Sequence, residues 1–372
     1  MLVAVVGAGI MGASLALHFA ANEMTVLLFD GAVPGSGATG SSFACLNFFA
    51  AATSDYMQFR SEALDYHMEL ARPIGLVDAI RATGTLRWST DSTQNKKLLQ
   101  AASMAAGLGR TVEYLSRNEA LNLEPNLCIV GGPEVIVRVS QEGWLDSVYF
   151  TKRMIDAAVA TGLAHRVSEK CTKIEPLNRG AVVWTDRTCY LVDAVVLASG
   201  TGINALLEDL AYAPLVHESP KVLTQIPYFG PPIEHVVFAN HIHFRANGPS
   251  SLIVGNAGDP TGLSDSGVEV TAARENVSLV RGELKDPSLG KSIAARRGTC
   301  PVPKDGYPIV GRLPGQAQIF IAVTHAGVTL APYVALLLTR EIAREGSCEV
   351  LGAFRPERFY LPIDQNGMRR IQ

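Results

Sequence analysis

The sequence predicts an α/β protein in which a parallel sheet is flanked by helices. Three short apolar runs, spread from the start of the chain to its end, each lead into a glycine-containing turn and then into a helical pattern. Strands that alternate with helices form parallel sheets whose two faces are both covered. With 372 residues, of which 48% are hydrophobic and 18% charged, the chain can bury a large core and is long enough for about two domains.

The composition argues against several classes of partner. The net charge of −3 offers no bulk attraction to nucleic acid or to an anionic membrane. The six cysteines are scattered without a CxxC pair, so we predict no metal site and no disulfide framework, and we expect the reducing cytoplasm as the compartment. The N-terminus lacks a basic leader, and no apolar run reaches the roughly 18 residues of a membrane span. We expect a small-molecule partner, while the oligomeric state does not follow from the sequence.

The first element is the apolar run Leu2–Val6, which leads at once into GAGIMG. In this GxGxxG turn the first glycine permits the tight bend, the second lets the backbone approach a pyrophosphate, and the third lets helix and strand pack closely. The following helix, expected over Ala13–Ala21, points its N–H groups and its positive dipole end at the phosphates. The turn residues predicted to contact a dinucleotide are Gly7, Gly9, Ile10, Met11 and Gly12.

The second element is the apolar run Thr25–Phe29, which ends in Asp30. Asp30 lies eighteen residues after Gly12 (30 − 12), close to the spacing at which an acid accepts hydrogen bonds from ribose hydroxyls. Strand, glycine turn, helix, strand and acid occur in the order of a Rossmann-like domain. The sequence therefore predicts a dinucleotide site in which Asp30 binds the adenosine ribose.

The segment after Asp30, GAVPGSGATGSSFACLNFFA, bears on the choice between NAD and FAD. In many NAD domains the chain turns directly into the next helix, whereas this long stretch of small residues could pass beneath an extended cofactor. The hydroxyl groups of Thr39, Ser41 and Ser42 could donate to phosphate or ribityl oxygens. An ordinary flexible loop would have the same composition, so this segment alone leaves the question open.

Two later corners favour the longer cofactor. The strand expected over Ala194–Ala198 leads into a glycine turn, and the strand Ile319–Val323 leads through a polar turn into a helix expected over Leu330–Ala343. Three corners spread over the chain suit one long ligand, and the N-terminus of the last helix could stabilise negative charge at a flavin pyrimidine edge. The contacts predicted at these corners are Ser199, Gly200, His325, Ala326, Gly327, Val328 and Thr329.

Together these segments resemble the FAD-dependent D-amino-acid oxidase superfamily, which includes glycine and sarcosine oxidases and D-amino-acid dehydrogenases. The resemblance covers nearly the whole chain and is carried by VVGAGIMG, GATGSSFACLN, EGWLDSVYF, VVLASG, PVPKDGYPIVG and THAGVTLAP. It implies bound FAD, backbone contact between Val167 and the adenosine part, and a cofactor contact at Gly311 in the DGYPIVG segment.

The resemblance also implies a fold, in which a Rossmann-like FAD-binding domain is interwoven with a mixed-sheet α+β substrate domain. We assign residues 1–80, 141–215 and 298–372 to the FAD-binding domain, and residues 81–140 and 216–297 to the substrate domain. Two β-rich runs within 236–255, joined by a Gly-Pro turn, are expected to form an antiparallel hairpin of the substrate domain.

The resemblance implies oxidation of a C–N bond. The α-hydrogen of a neutral amine or amino acid would move as hydride to flavin N5, and the imine would then hydrolyse in water. No strong catalytic acid or base is needed, and the sequence has no Ser-His-Asp pattern that would suggest hydrolysis. Two alternatives are an FAD-binding subunit of a hetero-oligomeric amine or amino-acid dehydrogenase and a non-catalytic nucleotide sensor.

Candidate substrate contacts lie in the β-rich part of the chain. Arg245, His243 and His241 alternate along one predicted strand, so they would share a face that binds an anion, lines the flavin or is simply solvated. Tyr228 and Tyr307 could hydrogen-bond a carboxylate, although a tyrosine beside proline is equally suited to packing.

Cys300 stands where amino-acid-oxidising members of the superfamily commonly carry an arginine that clamps the substrate carboxylate. Either another cation replaces that arginine, with Arg245 the first candidate and Arg297 the second, or the substrate lacks a simple α-carboxylate. We therefore predict poor activity on glycine and small D-amino acids and better activity on a bulkier or secondary amine. Cys300 could also carry a covalent flavin, but its spacing fits this poorly, and a small buried cysteine is the commoner case.

Overall fold

The computed structural model describes residues 1–256, 268–290, 294–344 and 346–360. In these residues the helices are α1 (Ile10–Ala21), α2 (Ser54–Ala71), α3 (Ser92–Gly107), α4 (Arg117–Leu123), α5 (Ser147–Ala160), α6 (Ile203–Asp209), α7 (Val268–Gly282) and α8 (Gly327–Arg344). The strands are β1 (Leu2–Val6), β2 (Thr25–Phe29), β3 (Cys45–Leu46), β4 (Ile80–Arg81), β5 (Thr85–Trp88), β6 (Glu113–Leu115), β7 (Ile136–Val139), β8 (Gly143–Leu145), β9 (Ala164–Val167), β10 (Cys171–Pro176), β11 (Ala181–Thr185), β12 (Cys189–Val192), β13 (Ala194–Leu197), β14 (Val216–Pro227), β15 (Val236–Ala239), β16 (Ile242–Ala246), β17 (Ser251–Asn256), β18 (Ala294–Pro303), β19 (Ile309–Arg312) and β20 (Ile319–Val323).

A six-stranded sheet forms the centre of the nucleotide-binding half. Its strand order is β19-β20-β13-β1-β2-β9, in which β19 runs antiparallel to β20 and the other described pairs are parallel. The apolar runs are buried on both faces, and α1 packs against α5 and α8 on one of them. The predicted parallel sheet is confirmed. Because β1, β13 and β20 are parallel neighbours, their three corners meet at one edge of the sheet.

An eight-stranded mixed sheet carries the other half, in the order β18-β14-β17-β16-β15-β5-β7-β6. Along β14 the buried residues Val222, Thr224 and Ile226 alternate with Lys221 and Leu223. Thr224 accepts a hydrogen bond from Asn276 of α7, so α7 covers the even-numbered face. Lys221 and Leu223 therefore lie on the opposite face of the sheet.

This face of the eight-stranded sheet lies against the segment that follows Asp30. Lys221 pairs with Gly298 of β18, and a Cβ atom at Gly298 would collide with the side chain of Ser41. Residues that pair directly across strands point to the same side, so one row of side chains crosses this face. The row consists of Arg296, Leu223, Gly255, His243, Phe238, Arg87 and Val137.

The expected two-stranded hairpin is in fact a three-stranded meander of β15, β16 and β17. The pairing of β16 with β17 agrees with the prediction, but the first β-rich run is broken by a turn. Asn240 occupies this turn at φ 50°, a left-handed conformation that asparagine tolerates better than most residues. His241 lies in the same turn and is exposed, so it does not share a strand face with His243 and Arg245.

A buried carboxylate connects the two sheets. Glu142, which is fully buried, accepts hydrogen bonds from the backbone N–H groups of Phe48 and Phe49 at 2.8 and 2.9 Å. Its other oxygen accepts from Thr85 Oγ1 and from Arg87 Nη2, each at 2.7 Å. With both carboxylate oxygens engaged and its charge paired, Glu142 fixes the segment beside the nucleotide site onto the larger sheet.

The two-domain division stays a proposal. The strands of the six-stranded sheet fall within the ranges assigned to the FAD-binding domain, and β5, β6, β7, β14, β15, β16 and β17 fall within those of the substrate domain. β18 pairs with β14 as far as Pro303, beyond the expected boundary at residue 298, so we propose that the second range ends after this strand. Among the described helices, none is long and apolar enough to cross a membrane.

Candidate active site

A cavity of about 630 Å³ runs along the edge where the three corners meet. Strand ends, glycine turns and helix N-termini form its walls. The predicted cofactor residues that line it are Gly7, Gly9, Ile10, Met11, Asp30, Thr39, Ser42, Ser199, Gly200, His325, Gly327 and Val328. The structure therefore brings together residues that lie up to 321 positions apart in the chain (328 − 7).

Close backbone contacts restrict two positions of the first corner to glycine. Gly7 has φ 107°, and a Cβ atom there would lie 2.6 Å from the carbonyl oxygen of Ala198 in the neighbouring corner. A Cβ atom at Gly12 would overlap the carbonyl oxygen of Gly7, so only glycine lets α1 pack this closely on β1. Gly12 does not line the cavity, and its part in the site is to hold helix and turn together.

The N-terminus of α1 fits a phosphate group. Gly9 precedes the helix without a side-chain cap, and the first turn contains no acidic residue. Ile10 N–H donates to Thr39 Oγ1 at 3.0 Å, which fixes the small-residue segment across the turn. At the neighbouring corner, Ser199 Oγ is buried with no partner among the described residues. Uncapped N–H groups and an unsatisfied hydroxyl on one cavity suit the pyrophosphate and ribityl oxygens of FAD.

Asp30 is held at the carboxyl end of β2. Its carboxylate accepts hydrogen bonds from the N–H groups of Ala8 at 2.7 Å and Ala32 at 2.8 Å. Val167 does not line the cavity, but its carbonyl oxygen accepts the Asp30 N–H at 3.1 Å. Backbone contacts from three segments thus fix the carboxylate at the cavity wall, where its remaining lone pairs could accept ribose hydroxyls.

Three other predicted cofactor residues support the walls instead of lining them. Thr329 Oγ1 lies 3.3 Å from both Cys45 O and Asn47 N, so it joins the start of α8 to the segment after Asp30. Ala326 N–H donates to Thr324 Oγ1 and shapes the turn before α8. Ser41 Oγ donates to the carbonyl oxygen of Gly37 and packs against Gly298.

Gly311 lies away from the cavity lining and accommodates an arginine. Its φ is 132°, and a Cβ atom there would collide with the guanidinium of Arg355. Arg355 forms two hydrogen bonds of 2.8 and 2.7 Å with the carboxylate of Glu341 on α8. The glycine of the DGYPIVG segment therefore makes room for an ion pair that holds α8, and this placement does not support a direct cofactor contact.

The predicted anchor role of Arg245 is not supported by its position. Its guanidinium donates to the carbonyl oxygens of Phe43 and Ala246, both at 2.9 Å, and lies 4.0 Å from the ring centre of Trp144. The side chain is buried, and this burial lowers its pKa to about 10. Arg245 is on the face expected for it, but its donors bind the backbone next to the cavity. The second candidate, Arg297, is exposed on β18.

The other predicted substrate residues have packing roles in the structure. His243 is stacked on Phe238 and meets Phe43 edge-on, and burial, the largest cause, lowers its pKa to about 4. Tyr307 packs edge-on against Tyr56. Tyr228 is buried, with its hydroxyl group 2.5 Å from Asn126 Nδ2 and 2.6 Å from Pro231 O. These bonds direct the Tyr228 hydroxyl group toward the core beside the larger sheet.

Cys300 lines the cavity beside Pro301. Burial raises the pKa of its thiol, while the positive charge of Lys221 acts in the opposite direction. Cys300 pairs with Ser219 on β14, two residues from Lys221, so the two side chains lie on one face of the sheet. Cys300 is thus a half-buried thiol in the cavity wall, and the packing interpretation of this cysteine stays a prediction.

The residue that the sequence reasoning missed is Lys221. Its charge lies near enough to His325, His243 and Cys300 to act on the pKa of all three. Burial lowers the pKa of His325 first, and the charges of Arg60, Lys221 and His217 lower it further. The signal for Lys221 was the alternation of Val222, Thr224 and Ile226, which places it on the other face of β14.

Arg60 and Tyr56 of α2 lie near the turn that carries Thr324 and His325, outside the cavity lining. Arg60, which is buried, donates to the carbonyl and side-chain oxygens of Asn47. Tyr56 is hydrogen-bonded to Thr324, the residue before His325 in the turn that precedes α8. The surroundings of His325 therefore combine the positive charge of Arg60 with a neutral imidazole. Neither Arg60 nor Tyr56 bears a negative charge.

Comparison with known proteins agrees with this geometry. A family model described as FAD dependent oxidoreductase matches residues 3–341. The glycine oxidase of Geobacillus kaustophilus (strain HTA426) is 23% identical over 365 residues, which cover 95% of each chain. The 4-methylaminobutanoate oxidase (formaldehyde-forming) of Paenarthrobacter nicotinovorans is 29% identical over 200 residues, which cover 53% of this chain and 24% of that protein.

Two solved structures have the same fold. The crystal structure of glycine oxidase from Geobacillus kaustophilus has a TM-score of 0.86 at 21% identity, covering 95% of this chain and 97% of that chain. The crystal structure of iminodiacetate oxidase from Chelativorans sp. BNC1 has a TM-score of 0.79 at 20% identity, covering 95% of this chain and 98% of that chain. The predicted fold class is confirmed by these superpositions.

Proposed function

The chain belongs to the family of FAD-dependent oxidoreductases, and from its site we propose that it oxidises the C–N bond of an amine or amino acid to an imine. The chemistry that FAD supplies when bound is acceptance of two electrons and a proton as a hydride equivalent at N5. The imine then takes up water and breaks down to a carbonyl compound and a free amine or ammonia. The chain's own residues would hold the donor carbon in place and keep the amine neutral.

The observation that carries this proposal is the position of Lys221. It stands on the face of the larger sheet that faces the cavity, on the same side as Cys300. An ammonium group there can bind the substrate carboxylate that Cys300 cannot bind. Of the two cations predicted from the sequence, Arg245 donates to the carbonyl oxygens of Phe43 and Ala246, and Arg297 is exposed on β18.

The same positive charges favour a neutral substrate amine. Burial is the largest cause of the lowered pKa of His325, and Arg60, Lys221 and His217 lower it further by making an additional positive charge unfavourable. An alkylammonium substrate placed beside His325 would experience the same repulsion, so its pKa falls and the lone pair needed for C–N oxidation becomes available. The site thus needs no dedicated strong base, and His325 itself is neutral near pH 7.

The relatives support the substrate class. Both solved neighbours carry names of enzymes that oxidise amino acids, glycine in one case and iminodiacetate in the other. Lysine is a point charge on a flexible stem and lacks the two parallel donors of arginine, so it orients a small substrate less strictly. We therefore propose that glycine and D-alanine are poor substrates and that a secondary amine with a carboxylate is a better one.

Reduction of the bound flavin under anaerobic conditions tests this proposal. Iminodiacetate is the first donor to add, diethylamine is the matched secondary amine without carboxylates, and glycine and D-alanine complete the set. We expect loss of visible flavin absorbance with iminodiacetate at lower concentration than with any of the others. An FAD-loaded protein that none of these or further amines reduces would reject the proposed reaction.

The variant Lys221→Met tests the anchor. Loss of one charge-assisted contact is expected to raise the KM for iminodiacetate about tenfold relative to that for diethylamine, because the changed charge beside the amine affects both substrates and the lost contact affects only iminodiacetate. Lys173→Met, which removes an exposed lysine from β10, is the matched control. If iminodiacetate oxidation is the same in wild type, Lys221→Met and Lys173→Met, then Lys221 is not the anchor, although the reaction itself can still stand.

A further inference from the structure

A second cavity lies on the same face of the larger sheet as Lys221. Its volume is about 240 Å³, somewhat below the roughly 300 Å³ at which pockets for drug-sized ligands begin. Its walls come from β5, β15, β16 and α3, and they include Phe49, Arg87, Leu98, Phe238 and His243. Among the described residues it shares no lining residue with the cofactor cavity.

Three aromatic side chains in mutual contact, which we call the aromatic wall, lie at the second cavity, and two of them, Phe238 and His243, line it. They are Phe43, Phe238 and His243, with ring centres 4.5 Å apart for Phe43 and His243 and 5.8 Å apart for Phe238 and His243. In the row that crosses the sheet, His243 lies between Gly255 on one side and Phe238 on the other. The wall therefore separates the second cavity from the part of the face that carries Lys221.

The chemical feature of the second cavity is the guanidinium of Arg87. It lies 4.0 Å from the ring centre of Phe238 and 5.2 Å from that of Phe49. Its Nη2 atom donates to Glu142 at 2.7 Å. Its Nε atom is buried and has no hydrogen-bond partner among the described residues. A buried N–H donor without an acceptor is costly, so the arrangement indicates that a ligand supplies the acceptor.

We propose that the second cavity is a binding site for a small carboxylate with an apolar or aromatic body. The guanidinium fork offers donors that match a carboxylate, and the rings of Phe49 and Phe238 with Leu98 offer an apolar surface for the rest of the molecule. The carboxylate of Glu142 balances the positive charge of Arg87. Lys97, exposed on α3 at the cavity rim, supplies a second one for the ligand.

Such a carboxylate has two possible sources. It can be a separate molecule, or it can be the far end of a long substrate whose amine lies beside the flavin. On the sheet, Lys221 on β14 and Arg87 on β5 are four strand spacings apart, or about 19 Å at roughly 4.8 Å per spacing. A small monocarboxylate cannot span this distance, so one bound molecule occupies one cavity or the other, and variants of each cavity show which.

The experiment uses FAD-loaded protein and the probe 3-phenylpropionate, with 3-phenylpropanamide as the uncharged match. Calorimetric titration gives affinity and stoichiometry, and the visible flavin spectrum reports binding next to the ring. We expect one carboxylate per chain, weaker binding of the amide by about tenfold or more, and an unchanged flavin spectrum.

Variants locate the site. Leu98→Trp fills the cavity, and Leu99→Trp makes the same change at an exposed neighbour on α3 that does not line it. Arg87→Lys keeps a charge for Glu142 and removes the buried Nε donor. Binding is expected to fall about tenfold or more in Leu98→Trp and Arg87→Lys, and to stay within about twofold in Leu99→Trp.

Lys221→Met distinguishes the two cavities. Retained 3-phenylpropionate binding in this variant supports the second site. Competition by a long amino dicarboxylate that also reduces the flavin identifies the carboxylate as part of a substrate, whereas binding without competition identifies a separate ligand. The proposal is overturned by probe binding that perturbs the flavin and is lost in Lys221→Met, or by equal binding in wild type and Leu98→Trp, or by no detectable binding.

Discussion

At the scale of single residues, two aspartates interact with β1 at its opposite ends. Asp30 accepts the Ala8 N–H just after the strand, at the cavity, and Asp193 accepts the Leu2 N–H at the strand's start, at an exposed position. Each carboxylate accepts a backbone N–H at one end of β1, from the turn after the strand for Asp30 and from the first residue of the strand for Asp193. They differ in that only Asp30 lines the cofactor cavity, which makes them a matched pair.

We predict that Asp30→Ala weakens FAD retention while the fold survives. Loss of charge-assisted bonds to ribose hydroxyls is expected to lower FAD affinity about tenfold or more. Fluorescence titration of apoprotein with FAD measures this, and unfolding curves check the fold. Asp193→Ala, which also loses one bond to β1, should bind FAD like wild type. Equal retention by all three proteins would remove Asp30 from the cofactor site.

The position of a site residue could be predicted from the sequence where it depends on residues nearby in the chain. Asp30 stands at a fixed distance from the glycine turn, so strand, turn and acid determine its place. Lys221 is placed on the face that carries Cys300 only because β14 pairs with β18, where Gly298, the partner of Lys221, lies 77 residues later in the chain (298 − 221). Arg245 was placed on the correct face, but its partners Phe43 and Trp144 lie 202 and 101 residues earlier (245 − 43 and 245 − 144), and no spacing pattern could identify them.

At the scale of elements, α1 and α8 each have a glycine in their first turn, but the space around these two glycines differs. Gly12, in the first turn of α1, touches the backbone of Gly7, and a side chain there cannot fit. Gly327, the first residue of α8, is open, because the nearest atom to an added Cβ would be a methyl carbon of Ile10 at 3.9 Å. Protein packing therefore explains why Gly12 is glycine and leaves Gly327 unexplained.

We predict opposite outcomes for alanine at these positions. Gly12→Ala should destabilise the fold, since backbone must move. Gly327→Ala should fold normally and yet bind FAD more weakly, because the space that the added methyl group would enter is the space expected for the flavin. Thermal unfolding of the apoproteins and FAD titration separate the two effects. Normal FAD affinity and a normal flavin spectrum in Gly327→Ala would mean that α8 does not begin at the flavin.

Element boundaries were predictable where the apolar runs were short and sharply ended. β1, β2 and β20 have the expected bounds, whereas α1 starts at Ile10 and α8 at Gly327, both three residues earlier than expected. In both cases the turn residues themselves adopt helical conformation, which apolar periodicity cannot reveal because the first helical turn faces the cavity. The turn at Asn240 was also missed, because its signal is a single residue that tolerates positive φ.

At the scale of the whole molecule, buried histidines hold elements together in neutral form. His18 on α1 lies 2.7 Å from Ser14 O and 2.9 Å from Tyr66 Oη of α2. His67 on α2 lies 3.0 Å from Thr329 O at the start of α8. A carbonyl oxygen only accepts, so each of these rings donates from the nitrogen that faces it. Burial, the largest cause, lowers the pKa of both His18 and His67 from 6.5 to about 4.

We predict that this lowering makes the fold acid-sensitive between about pH 6.5 and pH 4. In that window the unfolded chain binds protons on these two residues and the folded chain does not, so the free energy of unfolding decreases as the pH falls. Below about pH 4 both states are protonated and the loss is complete. A difference of about 2.5 pKa units corresponds to roughly 3 kcal/mol for each histidine at most.

Denaturant unfolding from pH 8 to pH 4 measures the effect. Carboxylates also titrate near the lower limit, so the informative quantity is the difference between wild type and variants. His67→Gln keeps an amide donor for Thr329 O and removes the titrating group, so it should be less stable than wild type at pH 8 but lose less stability on acidification. His165→Gln, at an exposed position of β9, should follow the wild-type slope. If His67→Gln loses stability as steeply as wild type and His165→Gln, protonation of His67 does not drive acid unfolding, and the junction of α2 with α8 depends on its other contacts.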